Sequence, residues 1–358
     1  MAKVSFNNKG QSFFSSLKKS VDDYFTQNNI RKTGNWRLYL KTAILMPLSV
    51  SIYIFLLLGS YSVIAGVFLT FIFGLALVAI AFNIMHDSCH GSYSSKKWVN
   101  DLFSYTMNAL GSNAYMWKIK HNVIHHTYTN VDGIDDDIAK SPVLRLCPSQ
   151  KWVPAHKYQF VYMFFLYSLS TILWAWVTDF ITYVSRKMVV TEMKMSLKEH
   201  ILFWLTKLLY FIFYAAIPIF FIGWQAWLLG YLILNITMGL TLSMIFQLAH
   251  IVEKTDFEKA ADGPIQLDTE WAVHELRTTA NFGPGNKILT WFAGGLNFQV
   301  EHHLFPRISH VHYKALSKIV RTHCEQFGIP YHSYQNMRQA VLSHIKMMKQ
   351  LGKKEVAA

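Results

Sequence analysis

Residues 42–58 and 63–85 are almost unbroken runs of aliphatic and aromatic side chains, parted only by Gly59-Ser60-Tyr61-Ser62. Crossing the hydrocarbon of a bilayer as a helix takes roughly 20 mostly apolar residues. The pattern therefore predicts two membrane helices joined by a tight turn. Residues 201–223 and 227–248 repeat it around the uncharged turn Trp224-Gln225-Ala226. A fifth apolar run, residues 160–180, carries Trp174, Trp176 and Asp179. That mixture suits an interfacial or protein-buried helix better than a span. After Pro306 the chain turns polar and basic, and residues 313–324 and 334–349 are patterned as two helices separated by Gly328-Ile329-Pro330.

These elements predict an all-α integral membrane protein with four transmembrane helices in two hairpins and a cytoplasmic helical cap. The chain reads as one unit, 1–358: an N-terminal segment 1–41, a first hairpin 42–85, an interfacial region 86–200, a second hairpin 201–248 and a cytoplasmic region 249–358. Composition agrees, with 52% hydrophobic, 15% aromatic and only 15% charged residues. The net charge of +13 would point a soluble protein toward nucleic acid. Here the positive-inside rule accounts for it, and no nucleic-acid partner is expected. Lys18, Lys19, Arg31, Lys32, Arg37 and Lys41 precede the first span, and Arg186, Lys187, Lys194 and Lys198 precede the third. Both far-side turns are uncharged, so both termini are expected on the cytoplasmic side. Lys207, inside the third span, is expected to snorkel to the interface. Three cysteines, Cys89, Cys147 and Cys324, make no disulfide framework. The polar start, residues 1–19, lacks the apolar core of a signal peptide, which leaves insertion to the first span.

Three histidine clusters border the apolar runs: His86-Asp87-Ser88-Cys89-His90, His121-Asn122-Val123-Ile124-His125-His126, and Gln299-Val300-Glu301-His302-His303. Four-residue spacing puts His86 with His90, and His121 with His125, on one face of a helix, with His126 about 100° further round. Imidazole suits iron, zinc, copper and nickel. Seven histidines exceed the four ligands of a closed zinc site, which points to two metals. His250 ends the fourth span at the membrane level of His86 and is read as a further ligand. Cys89 is read as packing. One shared site requires an even number of crossings between clusters, which again demotes residues 160–180. Metal-bound histidines hand their other ring N–H to carboxylates or carbonyls. Asp87, Asp135, Asp137 and Glu301 are candidates for that supporting role within the wider acidic run that includes Asp132 and Asp136, and Gln299 stands beside them. His274, His310 and His312 are read as supporting or surface residues, and His156, His200, His323, His332 and His344 as surface residues.

The motifs resemble those of the membrane fatty acid desaturases over most of the chain. His86-Asp87-x-x-His90 is similar to the first histidine box. His121-Asn122-x-x-His125-His126-Thr127-Tyr128-Thr129-Asn130 is similar to the second. Thr278-Thr279-Ala280-Asn281-Phe282 with Gly294-Gly295-Leu296-Asn297-Phe298 and the third cluster through Leu304-Phe305-Pro306 resembles the third-box region. The resemblance implies two irons as cofactor, dioxygen as co-substrate, and a fatty acyl substrate linked to coenzyme A, lipid or carrier protein. Gln299 in place of a first histidine marks the front-end subgroup, which desaturates between an existing double bond and the carboxyl end. A fused cytochrome b5 domain with its His-Pro-Gly-Gly motif is not seen in the sequence. A separate donor is therefore expected, such as ferredoxin, flavodoxin or free cytochrome b5, as in a bacterial cytoplasmic membrane with the active site facing the cytoplasm. The acyl chain is expected in an apolar tunnel between spans and cap. A di-iron fatty acid or alkane hydroxylase would share the ligand set. A metal transporter would carry its polar ligands near the bilayer midplane, where these spans are almost bare of them. A cytoplasm-facing zinc hydrolase would use one metal and work without dioxygen.

Overall fold

The structure, a computed structural model, describes residues 4–7, 12–139, 143–188, 191–259, 265–267 and 269–354. Part of the polar start, residues 1–3 and 8–11, lies outside them. Helix α1 (Ser12–Gln27) buries Phe13, Leu17, Val21 and Phe25, one residue per turn, and leaves its other faces polar. The first hairpin is α2 (Trp36–Leu58) and α3 (Val63–Cys89). It turns at Gly59, and Ser62 caps α3 by accepting the Ala65 N–H at 3.3 Å.

The helical stretch Leu197–His250 is 54 residues long. Unbroken, it would run ~80 Å, far beyond the ~30 Å of bilayer hydrocarbon. Gly223, at φ 79° and ψ 159°, breaks it where a residue with a Cβ would be strained. The chain then folds back on itself. The Trp227 indole donates to the Tyr214 carbonyl at 2.7 Å, and the Tyr210 and Tyr231 hydroxyls meet at 3.3 Å. Two spans result, α7 (residues 197–222) and α8 (residues 224–250), the second hairpin expected from the sequence. Their outward faces expose Trp204, Leu208, Phe220 and Phe221, as a lipid-facing surface should. Between the hairpins, Phe73, Leu77, Val78 and Ile80 of α3 pack on Leu234, Met238, Ile245 and Leu248 of α8.

The fifth apolar run divides into α5 (Pro154–Ser168) and α6 (Ser170–Ser185), which meet at 58°. The bend is seated on α8: the Ser170 hydroxyl donates to the Gly239 carbonyl at 3.3 Å and the Thr171 hydroxyl to the Asn235 carbonyl at 3.1 Å. Lys207 does not snorkel. It is buried, 2.9 Å from Asp179 of α6, and also donates to the carbonyls of Gly111 and Ala175 at 2.7 and 2.8 Å. A buried charge is tolerated when it is paired and its donors are filled, and here the partner was the aspartate of the demoted run. Lys41, counted among the flanking charges, is likewise buried and donates to Asn83 Oδ1 at 2.6 Å.

The cap comprises α1, α9 (Trp271–Thr278), α10 (Gln299–Leu304), α11 (Tyr313–Phe327) and α12 (Met337–Leu351). The buried face of α1 lies on Leu316, Val320 and Cys324 of α11. Gly328 ends α11 in the left-handed conformation, at the break read from the sequence. The fold is not purely helical. Among the described residues there are four short two-stranded pairs, and three of them tie distant loops together, including Val4–Phe6 with Ile265–Leu267 and Asn281–Phe282 with Ser333–Tyr334. His156, His323 and His344, read as surface residues, are buried. His344 shows why: its ring is held between the Ile251 carbonyl at 2.7 Å and the Tyr167 hydroxyl at 3.1 Å.

Candidate metal centre

Four elements carry the clustered histidines to one place. Helix α3 continues through a wide π-helical turn, Ala81–Met85, so that His86 and His90 leave the membrane end of the span together, ring centroids 4.6 Å apart. Helix α4 (Ala114–Lys118) passes into a second wide turn, Ile119–His125. Helix α8 ends on His250, and α10 carries His302 and His303. Gly294 seats the third-box region against α3, since a Cβ there would lie 2.3 Å from the Phe82 carbonyl oxygen.

The second wide turn corrects the facing expected of His126 in an α-helix. In a π-turn the bond runs from i to i+5, and the His126 N–H donates to the His121 carbonyl at 3.1 Å. His126 therefore also swings over His121, their Nε2 atoms 3.2 Å apart, while the His121 and His125 rings stay stacked as their spacing suggested, centroids 5.2 Å apart. His125 also faces His250 and His303, with ring centroids at 4.8 and 5.0 Å.

Two main groups result, each with ligand-capable nitrogens within 4.8 Å of one another: His86, His90, His121 and His302, and His125, His250 and His303. His126 lies between them, within the same reach of His302 and His303. All eight rings are buried. The Nε2 atoms of His90, His125, His250, His302 and His303, and Nδ1 of His126, have no hydrogen-bond partner among the described residues. Unpartnered buried nitrogens are costly, and their concentration on histidines that cluster in space is what a pair of metal ions would satisfy. Burial and the crowding of imidazoles hold His90, His121, His126, His302 and His303 well below the ordinary histidine range. They are thus neutral, the form in which a metal accepts them. His125 differs: burial pulls it down, but the adjacent Asp135 carboxylate outweighs that and raises it.

The opposite ring nitrogens are occupied. His125 Nδ1 donates to Asp135 at 3.1 Å, His303 Nδ1 to Glu275 at 2.8 Å, and His302 Nδ1 meets the Tyr313 hydroxyl at 3.0 Å. His250 Nδ1 lies 3.4 Å from the Thr278 carbonyl. Such partners fix the tautomer and turn Nε2 inward. Asp137 approaches His125 Nδ1 at 3.5 Å. Asp87 and Glu301 sit elsewhere than the sequence suggested. Asp87 accepts from Ser309 at 2.6 Å and lies 3.0 Å from His310 Nδ1. Glu301 accepts from Asn281 and Tyr331, both at 2.8 Å. Glu275 and Tyr313 were missed. The one local hint for Glu275 was its place just before the Thr278-Thr279-Ala280-Asn281 motif. Thr129, quoted within the second box, donates to Glu275 at 2.9 Å and so links that box to the third.

A cavity of about 310 Å³ opens beside the centre. Its walls are mainly apolar, with Met85, Leu110, Met238, Leu242 and Leu296 among them, and it reaches His86, His121, His302 and Gln299.

The model of the fatty acid desaturase family matches residues 61–335. The chain belongs to the fatty acid desaturase family. This desaturase is 32% identical to the sn-1 linoleoyl-lipid 6-desaturase of Arthrospira platensis, over 98% of its own length and 95% of that protein. It is 31% identical to the enzyme of the same name from Synechocystis sp., over 98% of each chain. The acyl-lipid (8-3)-desaturase of Physcomitrium patens is 30% identical over 96% of this chain and 72% of its own. The desaturase is an oxygen-dependent oxidoreductase and an integral membrane protein, with buried histidine groups able to bind metal.

Proposed function

We propose that this desaturase is a front-end acyl-lipid enzyme acting on a linoleoyl chain, with two irons held by the eight histidines. His86, His90, His121 and His302 hold one; His125, His250 and His303 hold the other; His126 lies between. The observation that carries the ligand assignment is the convergence of unpartnered ring nitrogens. The substrate class is supported by the relatives' names and by the apolar cavity that ends at His86, His121 and His302.

The irons, when bound, supply the dioxygen chemistry that no side chain can perform on an unactivated methylene pair. The chain's own residues do the rest. Met85, Leu242 and Leu296 hold the acyl chain in a dry channel and keep one C–C bond beside the histidines. Asp135 and Glu275 keep the rings of His125 and His303 oriented. Two hydrogens leave the substrate, two electrons come from a donor with two protons, and dioxygen leaves as two waters. Mass spectrometry of lipids from a host lacking polyunsaturated acids, fed linoleate, tests the reading. One new double bond between the carboxyl group and the existing first one is expected. Efficient conversion of stearate with linoleate untouched would end the front-end assignment, and oxygen retained in the lipid would favour a hydroxylase.

The centre faces the cytoplasm of a bacterial membrane. Both termini and the basic segments lie on that side, while the turns at Ser60 and Gln225 lie on the other. Tags near Ser60 and Gln225 should be reachable from outside and one near Met188 should not; external labelling at Met188 would make α5–α6 a span. Electrons come from a separate acidic carrier, ferredoxin, flavodoxin or cytochrome b5, guided by the basic cytoplasmic face. Turnover with such a donor should slow as salt rises. Salt-independent turnover with electron transfer limiting would remove the charge argument.

A further inference from the structure

Lys120 lines two neighbouring cavities. One is bordered by His86, His121 and His302, and the other, of about 350 Å³, by Leu144, Val143, Thr182 and Met188. Trp174, Ser170 and Gln247 border both as well. The Lys120 ammonium is ion-paired with Asp137, lies 3.9 Å from Asp136 and sits 4.8 Å from the Trp174 ring centroid. Its side chain is 15% exposed. A counter-ion for two aspartates would be a sufficient role if the residue faced only protein. It instead presents a cation, with three N–H donors, to two cavities whose walls are otherwise mainly apolar.

Spacing gives this position a use. An extended chain advances ~3.5 Å per three bonds, so a carbonyl carbon and the sixth carbon lie ~6 Å apart. The Asp137 carboxylate that contacts Lys120 lies within 4.8 Å of a ring nitrogen of His121 and of His125, the latter its Nδ1 at 3.5 Å. Lys120 is therefore one carboxylate removed from the His121 and His125 rings, on the carboxyl-end scale of a few bonds rather than of a whole acyl chain.

We propose that Lys120 measures the substrate: from the wall of both cavities its ammonium donates to the acyl ester carbonyl and fixes which carbons reach the metal centre. The acyl tail then fills the cavity beside the histidines, and the glycerol portion lies in the cavity bordered by Met188. This inference rests on the front-end reading, because only a bond near the carboxyl end brings the carbonyl this close.

The test compares ester-linked and ether-linked linoleoyl glycerolipids, the second lacking the carbonyl, with the reconstituted holoenzyme as wild type, Lys120→Met and Lys120→Arg. Iron content is measured in each. A hydrogen bond to a charged donor carries about a tenfold effect. Wild type should desaturate the ester roughly tenfold faster than the ether and give one positional isomer only with the ester. Lys120→Met should treat both lipids alike and give mixed isomers, while Lys120→Arg restores preference for the ester. Equal handling of the two lipids by wild type overturns the proposal even if Lys120→Met fails to hold iron. An undiminished ester preference in Lys120→Met overturns it too. A wild type that places its bond on the methyl side of the existing ones would instead refute the front-end reading, whatever the variants do.

Discussion

The histidines that border the cavity and those behind it are held by different chemistry. His86, His121 and His302 line the cavity, whereas His125, His250 and His303 do not. On the cavity side, among the described residues, the ring partner outside the centre is neutral, the Tyr313 hydroxyl on His302. Behind it, two of three rings rest on buried carboxylates, Asp135 and Glu275. A carboxylate raises ligand basicity more than a hydroxyl does. On the proposed reading, the rear position would hold a metal firmly, and the front position would leave room for a substrate and dioxygen. The site is asymmetric even though eight similar rings make it.

The largest effect would break both halves together. His90→Ala on the cavity side, and His125→Ala or His303→Ala behind, should each reduce turnover below detection while the protein remains in the membrane. Wild type should carry about two irons per chain, an estimate from ligand number and type. Metal analysis and a lipid assay on the three variants check this. Full turnover in any one of them would remove that residue from the centre, and zinc as the sole metal supporting turnover would undo the iron reading.

Support residues sharpen the comparison at smaller cost. Glu275→Gln and Asp135→Asn keep the shape but lose the charge, and should weaken metal retention or turnover by about ten- to a hundredfold. Tyr313→Phe removes a neutral partner and should cost ~1 kcal/mol, about fivefold. Chelator competition measures the difference. Should Tyr313→Phe release iron as readily as Glu275→Gln, the proposed asymmetry would have no basis.

Much of this was visible in the sequence, for physical reasons. Spans follow from hydropathy because hydrocarbon tolerates little else, and the uncharged turns were readable for the same reason. The eight histidines were readable because metal ligands must be of few types and must cluster. Partners set by tertiary packing were not readable. Glu275 reaches His303 from a separate helix, and its spacing in α9 carries no periodic sign of that contact. The wide turn at residues 119–125 breaks the α-helical period on which the facing of His126 was judged. Lys207 and Asp179 looked like two unrelated blemishes in apolar runs, and only the packing of α6 on α7 makes them one ion pair. Asp87 and Glu301 adjoin ligand histidines in sequence, but neighbours along a helix point in different directions. Their partners are Ser309 and His310 in one case, and Asn281 and Tyr331 in the other.

The smallest effect should come from Gln299, which lies in the third cluster yet lines the cavity beside His86 and His302. Its amide is buried where a first histidine of the third cluster would have offered a further ring nitrogen. If the residue shapes the substrate side alone, Gln299→Ala should leave the iron content unchanged. The shortened side chain would widen the channel next to the reacting bond, so the acyl chain could slide by a carbon. A loss of ~1 kcal/mol of positional preference corresponds to a roughly fivefold shift in isomer ratio, readable by mass spectrometry of the products. Iron lost from Gln299→Ala would contradict this division of labour and make Gln299 a ninth donor at the cavity-side position. An unchanged isomer ratio with iron retained would free Gln299 of any part in placing the bond, and leave regioselectivity to the groups further along the channel.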